Sequence, residues 1–505
     1  YDPDFEGGFV PSGSGVAAFE NVLGPVGDCA PLNPFGSITD AAASYVLYND
    51  QGQSRVEQSM FYAYLSGEIA ELPAGPLAFA TGYERRIESA EFRPDGTATI
   101  LGFAPNATAG SYKTEDTYAE ISVPVFSEDM DIPVFYSLSL DASYRKIDNS
   151  RSGSDDVWAL GLNWRPIEDV MIRGNIAETV RAPAVTELFL PVVETSSFAT
   201  DPCDNRNIGD GPNPSVREAN CRADGIPEGF LSEIQNASRR GFTGGNATLN
   251  NEQAESVNYG IVYTPSWAEG LDLSIDFIKI DISDAIVEFS ITDILNACYD
   301  ATDFPNSFCS QFNRMENGQF PGVNAFTSGY VNAALRNFEG IEYAVNYRNE
   351  LSDYPLVGSF FGEGSGDLNW SLRAFKQRKN EISNTGFDFT DDTGQWNDPD
   401  LTANLQVSYS VGDLFAFVDF NYTAETERNV EQTEPLQYID QNGNPYTKVP
   451  SRMLIDVGAT YQLTENILMR ASVQNATDWY PNPIEISIGR YTYGRTYNVG
   501  FTANF

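Results

Sequence analysis

Apolar and polar residues alternate with a period of two along most of this chain, and residues 401–410 show the pattern most clearly. Successive side chains of a β-strand point to opposite faces of the sheet, so this alternation predicts a strand with one apolar face and one polar face. The apolar face would carry Leu401, Ala403, Leu405, Val407 and Tyr409, and the polar face Thr402, Asn404, Gln406, Ser408 and Ser410.

The same pattern recurs along the chain and predicts an all-β protein with an antiparallel sheet of roughly fifteen strands. Residues 1–55 lack sustained periodicity and are expected to form a long loop, while residues 56–505 carry the strands. We place strands at residues 60–72, 77–91, 112–126, 134–147, 155–165, 170–178, 255–265, 271–283, 338–350, 367–379, 401–410, 414–422, 453–462, 467–475 and 489–505.

The last of these segments indicates what surrounds the sheet. One of its faces is aromatic and apolar and the other is small and polar, and the apolar face includes Tyr497, Val499, Phe501 and Phe505. Aromatic residues towards both ends of the apolar face favour lipid outside and a wet lumen inside. An ordinary amphipathic strand at the end of a soluble domain is the alternative interpretation.

The lengths of the connections alternate as well. Short turns are expected at residues 166–169, 266–270, 411–413 and 464–466. Long loops are expected near residues 182–251, 284–336, 380–400 and 423–450. A transmembrane β-barrel has short turns at its periplasmic rim and long loops at its extracellular rim, so this segregation predicts such a barrel.

Composition narrows the classes of function. The chain has 505 residues, a net charge of -41 and no histidine. Such acidity argues against nucleic-acid binding, and the missing histidine excludes Ser-His-Asp, Cys-His, His-zinc and His-haem sites. We therefore predict no catalytic residues, no metal site and no cofactor, with a secreted all-β hydrolase that uses carboxylates as the enzymatic alternative.

Cysteine and aromatic residues mark the long loops. Spacing predicts that Cys203, Cys221, Cys298 and Cys309 form two short-range disulfides, which leaves Cys29 over. Loop aromatic residues could stack on sugar rings or on siderophore aromatic groups, or they could pack the loops against one another. The candidates are Tyr299, Phe320, Trp396, Trp479 and Tyr480.

A short motif after the sixth strand resembles a known family. The sequence Arg181-Ala182-Pro183, followed by Glu187-Leu188-Phe189, is similar to the "RAP…ELF" signature of TonB-dependent outer-membrane receptors. Residues 252–260, residues 475–478 and the terminal Phe505 match further family features in the same order. The resemblance extends over residues 60–505.

This resemblance implies a fold and a set of partners. The family barrel has twenty-two strands closed around an N-terminal plug, so the chain would supply strands eight to twenty-two and lack the plug. The implied location is the outer membrane of a Gram-negative bacterium. The implied partners are outer-membrane lipid, the plug with the remaining strands, the TonB-ExbB-ExbD system acting through the plug and, in some relatives, a surface lipoprotein.

The implied function is active uptake of a scarce, large nutrient. We favour an oligosaccharide or another organic nutrient, and the family also includes receptors for ferric siderophores and cobalamin. A passive porin-like or structural barrel without TonB coupling is the alternative function.

Overall fold

The computed structural model describes residues 36–47, 51–94, 107–354, 364–386, 388–395, 398–427, 448–481 and 493–504. Three residues singled out from the sequence, Cys29, Trp396 and Phe505, lie outside these ranges.

Strands dominate the described residues. They are β1 (Gln53–Leu72), β2 (Gly75–Arg93), β3 (Thr108–Phe126), β4 (Ser137–Asn149), β5 (Gly153–Ile167), β6 (Val170–Arg181), β7 (Val193–Ser197), β8 (Arg239–Gly244), β9 (Glu252–Tyr263), β10 (Leu271–Phe289), β11 (Thr327–Glu350), β12 (Asp367–Ser383), β13 (Thr390–Asp391), β14 (Leu401–Val411), β15 (Leu414–Thr423), β16 (Thr426–Glu427), β17 (Lys448–Val449), β18 (Arg452–Thr464), β19 (Ile467–Gln474) and β20 (Thr496–Ala503).

The helices are short. They are α1 (Asp40–Val46), α2 (Val185–Phe189), α3 (Pro214–Ala223) and α4 (Ile291–Tyr299). Single 3-10 turns occur at Glu128–Met130, Glu233–Gln235, Ser307–Gln311 and Leu351–Asp353. None of the helices in the described ranges is long and apolar enough to span a bilayer.

Fifteen long strands of the described residues form one antiparallel meander, which agrees with the roughly fifteen strands expected from the sequence. The order is β1-β2-β3-β4-β5-β6-β9-β10-β11-β12-β14-β15-β18-β19-β20, with each strand paired to the next. Within the described residues, β1 pairs only with β2, and β20 only with β19. The short strand β8 joins the top of β11 in parallel and pairs with β7.

The strand register separates two faces of the sheet. Leu372, Leu405, Phe420 and Ile455 are directly opposite one another across β12, β14, β15 and β18. The next row along the same strands begins with Arg373 and continues through Asn404, Asn421 and Leu454. One face is therefore apolar and the other mainly polar, as the period-two pattern requires.

The apolar face is open to its surroundings. Val499 is 70% exposed, Phe501 64%, Tyr259 55% and Ile275 54%, and all four belong to this face. So wide an exposed apolar surface is typical of a face that contacts lipid rather than water. We call it the outward face, and the polar side the inward face.

The connections follow the expected alternation, with three exceptions. Residues 73–74, 168–169, 264–270, 412–413 and 465–466 join strands at the short-turn rim, and residues 182–251, 290–326, 384–400 and 424–451 join them at the long-loop rim. At the long-loop rim, however, residues 150–152 form a tight turn, and at the short-turn rim residues 127–136 and 351–366 are longer than their neighbours.

Several expected boundaries were wrong. The segment expected to be a loop before residue 56 contains α1, whose N-cap Thr39 accepts a hydrogen bond from the Ala42 amide at 3.2 Å, and β1 begins at Gln53. The loop expected at 284–336 is shorter, because β10 passes through a bulge after Ile282 and continues to Phe289. Likewise, β11 begins at Thr327 and β12 continues to Ser383.

Candidate functional site

The family-like motif at the end of β6 connects the first long loop to the sheet. The register places Arg181 directly opposite Glu252 on β9. The Arg181 guanidinium donates from Nε to Glu252 Oε2 at 2.5 Å and from Nη1 to Glu187 Oε2 at 3.0 Å. Arg181 therefore links the sheet, through Glu252, to the first long loop, through Glu187.

Glu187 also fixes the start of α2. Its Oε2 accepts a hydrogen bond from the Ala184 amide at 2.6 Å, which caps the helix directly after the buried Pro183. Within α2, Leu188 is 4% exposed and packs with Ala90 of β2, and Phe189 covers Gly110 of β3. Any Cβ at Gly110 would lie 2.2 Å from the Phe189 ring, so only glycine leaves room for it.

Ala90 and Gly110 are register partners on the inward face, so α2 lies on the lumen side of the wall. The residues Arg181, Ala182, Pro183, Glu187, Leu188 and Phe189 together turn the chain inward from β6 across to β2 and β3. The sequence identified this motif but could not show where it folds.

Beyond α2, residues 190–249 and 290–326 pack together into a unit that we call the loop subdomain. Its core contains Ile234, Ile294, Leu295 and Phe326, and each of these side chains is at most 2% exposed. Disulfides join Cys203 to Cys221 and Cys298 to Cys309, which confirms both expected pairs. Three of those four cysteines are in the core itself.

Arg314 is buried at the centre of the loop subdomain. Its guanidinium donates to both carboxylate oxygens of Asp201 at 2.8 and 2.9 Å and to the Tyr299 hydroxyl at 2.9 Å. Its charged carbon also lies 4.3 Å from the centre of the Phe320 ring. Charge pairing and cation–π contact together compensate for the burial of this cation.

This arrangement corrects the expectation for Tyr299. Its side chain is fully buried, and its hydroxyl donates to Asp224 at 2.5 Å while accepting from Arg314. Burial raises the pKa of the Tyr299 hydroxyl. Tyr299 and Phe320 therefore pack the loops against each other, and Tyr299 has no surface to offer a ligand.

Two other ion pairs stabilise the loop subdomain. Arg217 of α3 pairs with Asp300 next to α4, and both side chains are almost completely buried. Asp204 accepts hydrogen bonds from Arg206 Nη2 at 2.6 Å and from the Ser232 amide at 2.6 Å. Burial opposes ionisation of Asp204, but these donors outweigh it and lower the pKa of the carboxyl group.

The two remaining aromatic candidates within the described ranges lie after β19. Asn475 holds Trp479 by exchanging two hydrogen bonds with its backbone, each 2.8 Å long. The half-buried Trp479 ring lies 5.9 Å from the Arg452 guanidinium, and Tyr480 is 69% exposed. Both residues therefore present some surface on the side where β18 begins.

The inward face carries polar pairs that sequence reasoning missed. Arg173 of β6 and Asp276 of β10 form a bidentate pair with distances of 2.7 and 2.6 Å. The pair spans Gly260 of β9, where a Cβ would lie 2.1 Å from Asp276 Oδ1. A glycine at an inward position between two opposite charges is the signal that could have revealed it.

The inward face carries groups that can bind a polar solute. Across the described ranges, no group of three or more acidic or cysteine side chains is placed to hold a metal ion. Amides, hydroxyls, carboxylates and guanidiniums instead line a wall that can donate and accept hydrogen bonds.

A known protein family matches this chain. The family model described as "TonB dependent receptor-like, beta-barrel" matches residues 29–476. No curated protein sequence matches the chain significantly.

Solved structures share the fold at low sequence identity. The ferric enterobactin receptor PfeA of Pseudomonas aeruginosa, in complex with enterobactin, is 16% identical with a TM-score of 0.56, and the match covers 90% of this chain and 55% of the receptor. The siderophore receptor PirA of Acinetobacter baumannii is 14% identical with a TM-score of 0.55 and coverages of 92% and 57%. The Serratia marcescens hemophore receptor HasR, in complex with HasA and heme, is 14% identical with a TM-score of 0.52 and coverages of 90% and 60%. This chain thus spans less than two thirds of the length of each receptor.

Proposed function

This chain belongs to the TonB-dependent receptor family, and from that premise we propose that it forms barrel wall and surface loops of an outer-membrane transporter for a scarce, large solute. The solute would enter between the long loops, and energy delivered through TonB would release it inward. Transport, rather than chemical conversion, is the proposed activity.

The observation that carries this proposal is the division of the sheet into two faces. An exposed apolar outward face fits a lipid bilayer, and a polar inward face fits a wet lumen. The inward fold of α2 narrows that lumen at the long-loop rim, where a solute would arrive.

We infer that the solute is an oligosaccharide or a related organic nutrient. Carboxylates and amides hydrogen-bond one another along the inward face and can do the same with sugar hydroxyls: Asn163 donates to Asp141, and Asn404 donates to Asp419. PfeA and PirA are siderophore receptors, but identities of 14–16% carry the fold and not the ligand.

The proposed partners follow from the proposed function. They are outer-membrane lipid around the outward face, a plug within the lumen with the strands that complete the barrel, and the TonB-ExbB-ExbD system reached through that plug. A surface lipoprotein covering the long loops is a further proposed partner.

Uptake in cells with and without TonB tests this proposal. Cells that produce the intact receptor would receive labelled oligosaccharides larger than the porin limit, ferric enterobactin labelled with radioactive iron, and labelled cobalamin. We expect an oligosaccharide to accumulate only in cells that have TonB.

The other outcomes separate the alternatives. Equal accumulation in both strains would indicate a passive porin-like barrel. TonB-dependent accumulation of ferric enterobactin or cobalamin alone would keep the transport mechanism and overturn the proposed class of nutrient.

A further inference from the structure

A cavity on the inward face lies directly below the long-loop rim, where β14 and β18 begin and β15 ends. It is formed by five neighbouring strands, β11, β12, β14, β15 and β18. Its inward side chains include Glu342, Arg373, Asn404, Asn421, Thr423 and Arg452. A solute that enters between the long loops would meet this part of the wall early.

Both arginines of this cavity lack a carboxylate partner in the part of the chain that the structure describes. Elsewhere on the inward face, Arg173 lies 2.6 Å from Asp276 and Arg348 lies 3.0 Å from Asp367. Among the described residues, no carboxylate oxygen is within 4.0 Å of the guanidinium of Arg373 or Arg452. This is notable in a chain with 71 acidic and 30 basic residues.

An aspartate on the inward face of β15, Asp419, is already engaged by amides. Asp419 accepts from Asn404 at 2.6 Å and from Asn421 at 3.0 Å, and Asn404 also donates to Asn421 at 2.9 Å. This network fixes the amide side chains on β14 and β15, the two strands between β12, which carries Arg373, and β18, which carries Arg452. Arg373 is directly opposite Asn404. The guanidinium of Arg373 is left exposed to the lumen.

The surroundings of the cavity suit a sugar ring. Phe375 lines the cavity and covers Gly340, where a Cβ would lie 2.3 Å from its ring. The Trp479 ring is next to Arg452, at 5.9 Å. Aromatic faces of this kind bind apolar faces of sugars, while Glu342 and Thr423 offer partners for hydroxyl groups.

A guanidinium binds carboxylates and sulfates through paired N–H donors in one plane, which a lysine cannot reproduce. The net charge of -41 does not prevent anion binding here. Exposed charges are screened over about 8 Å at physiological ionic strength, so the potential inside the cavity depends mainly on the charges that line it, which are two guanidiniums and the single carboxylate of Glu342.

We propose that Arg373 and Arg452 form a subsite for the acidic groups of an anionic oligosaccharide, which carries uronate carboxylates or sulfate esters. This inference rests on the proposed transport function and narrows its class of substrate. The two arginines would act as specificity-determining residues, and the amide network would position the ligand between them.

The test uses the intact receptor in detergent and a glycan array that holds uronate-bearing, sulfated and neutral oligosaccharides of matched length. We expect binding to uronate-bearing or sulfated members, with neutral members bound at least tenfold more weakly. If only one of the two anionic classes binds, the result shows whether the ligand carries its charge on uronate carboxylates or on sulfate esters.

Variants then assign the binding to these residues. The double substitution Arg373→Gln and Arg452→Gln should weaken binding of the best anionic glycan by at least thirtyfold and reduce its dependence on salt. The control Arg470→Gln changes another inward arginine that also lacks a carboxylate within 4.0 Å among the described residues, but it lies near the short-turn rim over Gly500. It should leave binding unchanged.

Three results would overturn the proposal: neutral glycans bound as tightly as anionic ones, unchanged binding in the double variant, or no glycan bound at all. Uptake would also be measured in the strains with and without TonB. If uptake still depends on TonB, only the subsite assignment has failed. Loss of TonB dependence would count against the transport function itself.

Discussion

The sheet and the loop subdomain use apolar residues in opposite ways. On the sheet, Val499 and Phe501 are 70% and 64% exposed on the outward face. In the loop subdomain, Ile294 and Leu295 are fully buried, and two disulfides and two buried ion pairs reinforce the core. In the proposed membrane barrel, lipid would supply the apolar surroundings of the wall, whereas loops in water must build a core of their own.

Removing an aromatic ring from the core of the loop subdomain should destabilise that subdomain and leave the sheet unchanged. Phe320 is 1% exposed, so Phe320→Ala should destabilise the loop subdomain by about 3–5 kcal/mol. Hydrogen exchange of residues 290–326 measures this opening. Phe501→Ala on the outward face is the control and should leave exchange in those residues unchanged. Equal effects of the two variants would erase the distinction between the regions.

Breaking the buried charge pair should have an effect of similar size. Arg314→Met leaves Asp201, which is fully buried, without its partner, and such a loss costs about 3–5 kcal/mol. The control is Arg240→Met, because Arg240 and its partner Glu194 are 55% and 52% exposed and such pairs contribute about 1 kcal/mol or less. Limited proteolysis of the loops ranks the two variants. A similar cleavage rate in both would contradict the central role of Arg314.

The disulfides should contribute somewhat less. They close segments with sequence separations of 18 and 11 residues. Closing a loop of about 15 residues stabilises a fold by about 3 kcal/mol. The paired substitution Cys203→Ser and Cys221→Ser should therefore speed hydrogen exchange in residues 190–249 but leave the heat-modified mobility of the barrel on gels unchanged. A shift in that mobility would show that the wall depends on the loops.

Acid should produce the smallest effect. The pKa of Asp204 is lowered in the folded state, so its stabilising contribution is present above the unfolded pKa of about 3.9. That contribution is lost as the pH falls below about 4 and through the folded value. Thermal unfolding of the loop subdomain, followed between pH 3 and 6, should show this loss in the native chain and a flatter profile in Asp204→Asn. Identical profiles would exclude a role for Asp204.

The sequence predicted the wall far better than the site. Period-two alternation depends on neighbouring residues, so residues 401–410 and 414–422 revealed two strands almost to their ends. The buried position of Tyr299 depends on its contacts with Asp224 and Arg314. Asp224 is distant in sequence and Arg314 lies beyond a disulfide-bonded turn, so no local pattern encodes these contacts.

Long-range pairing limited the other expectations in the same way. The Arg173–Asp276 pair joins residues 103 positions apart, and only the register across Gly260 brings them together. The motif at Arg181 was visible in the sequence, but its inward direction follows from packing on Ala90 and Gly110. The boundaries of β10 and β11 were missed because these strands rise above the sheet to support the loop subdomain.

The most direct test of the account compares two adjacent residues of β14. Leu405 is on the outward face and Gln406 on the inward face. Spin labels attached to Leu405→Cys and Gln406→Cys in the intact receptor, reconstituted in lipid, report accessibility to oxygen and to a water-soluble nickel chelate. The account predicts high oxygen and low nickel accessibility at position 405, and the reverse at position 406. Equal nickel accessibility at both positions would contradict the assignment of the apolar face to lipid.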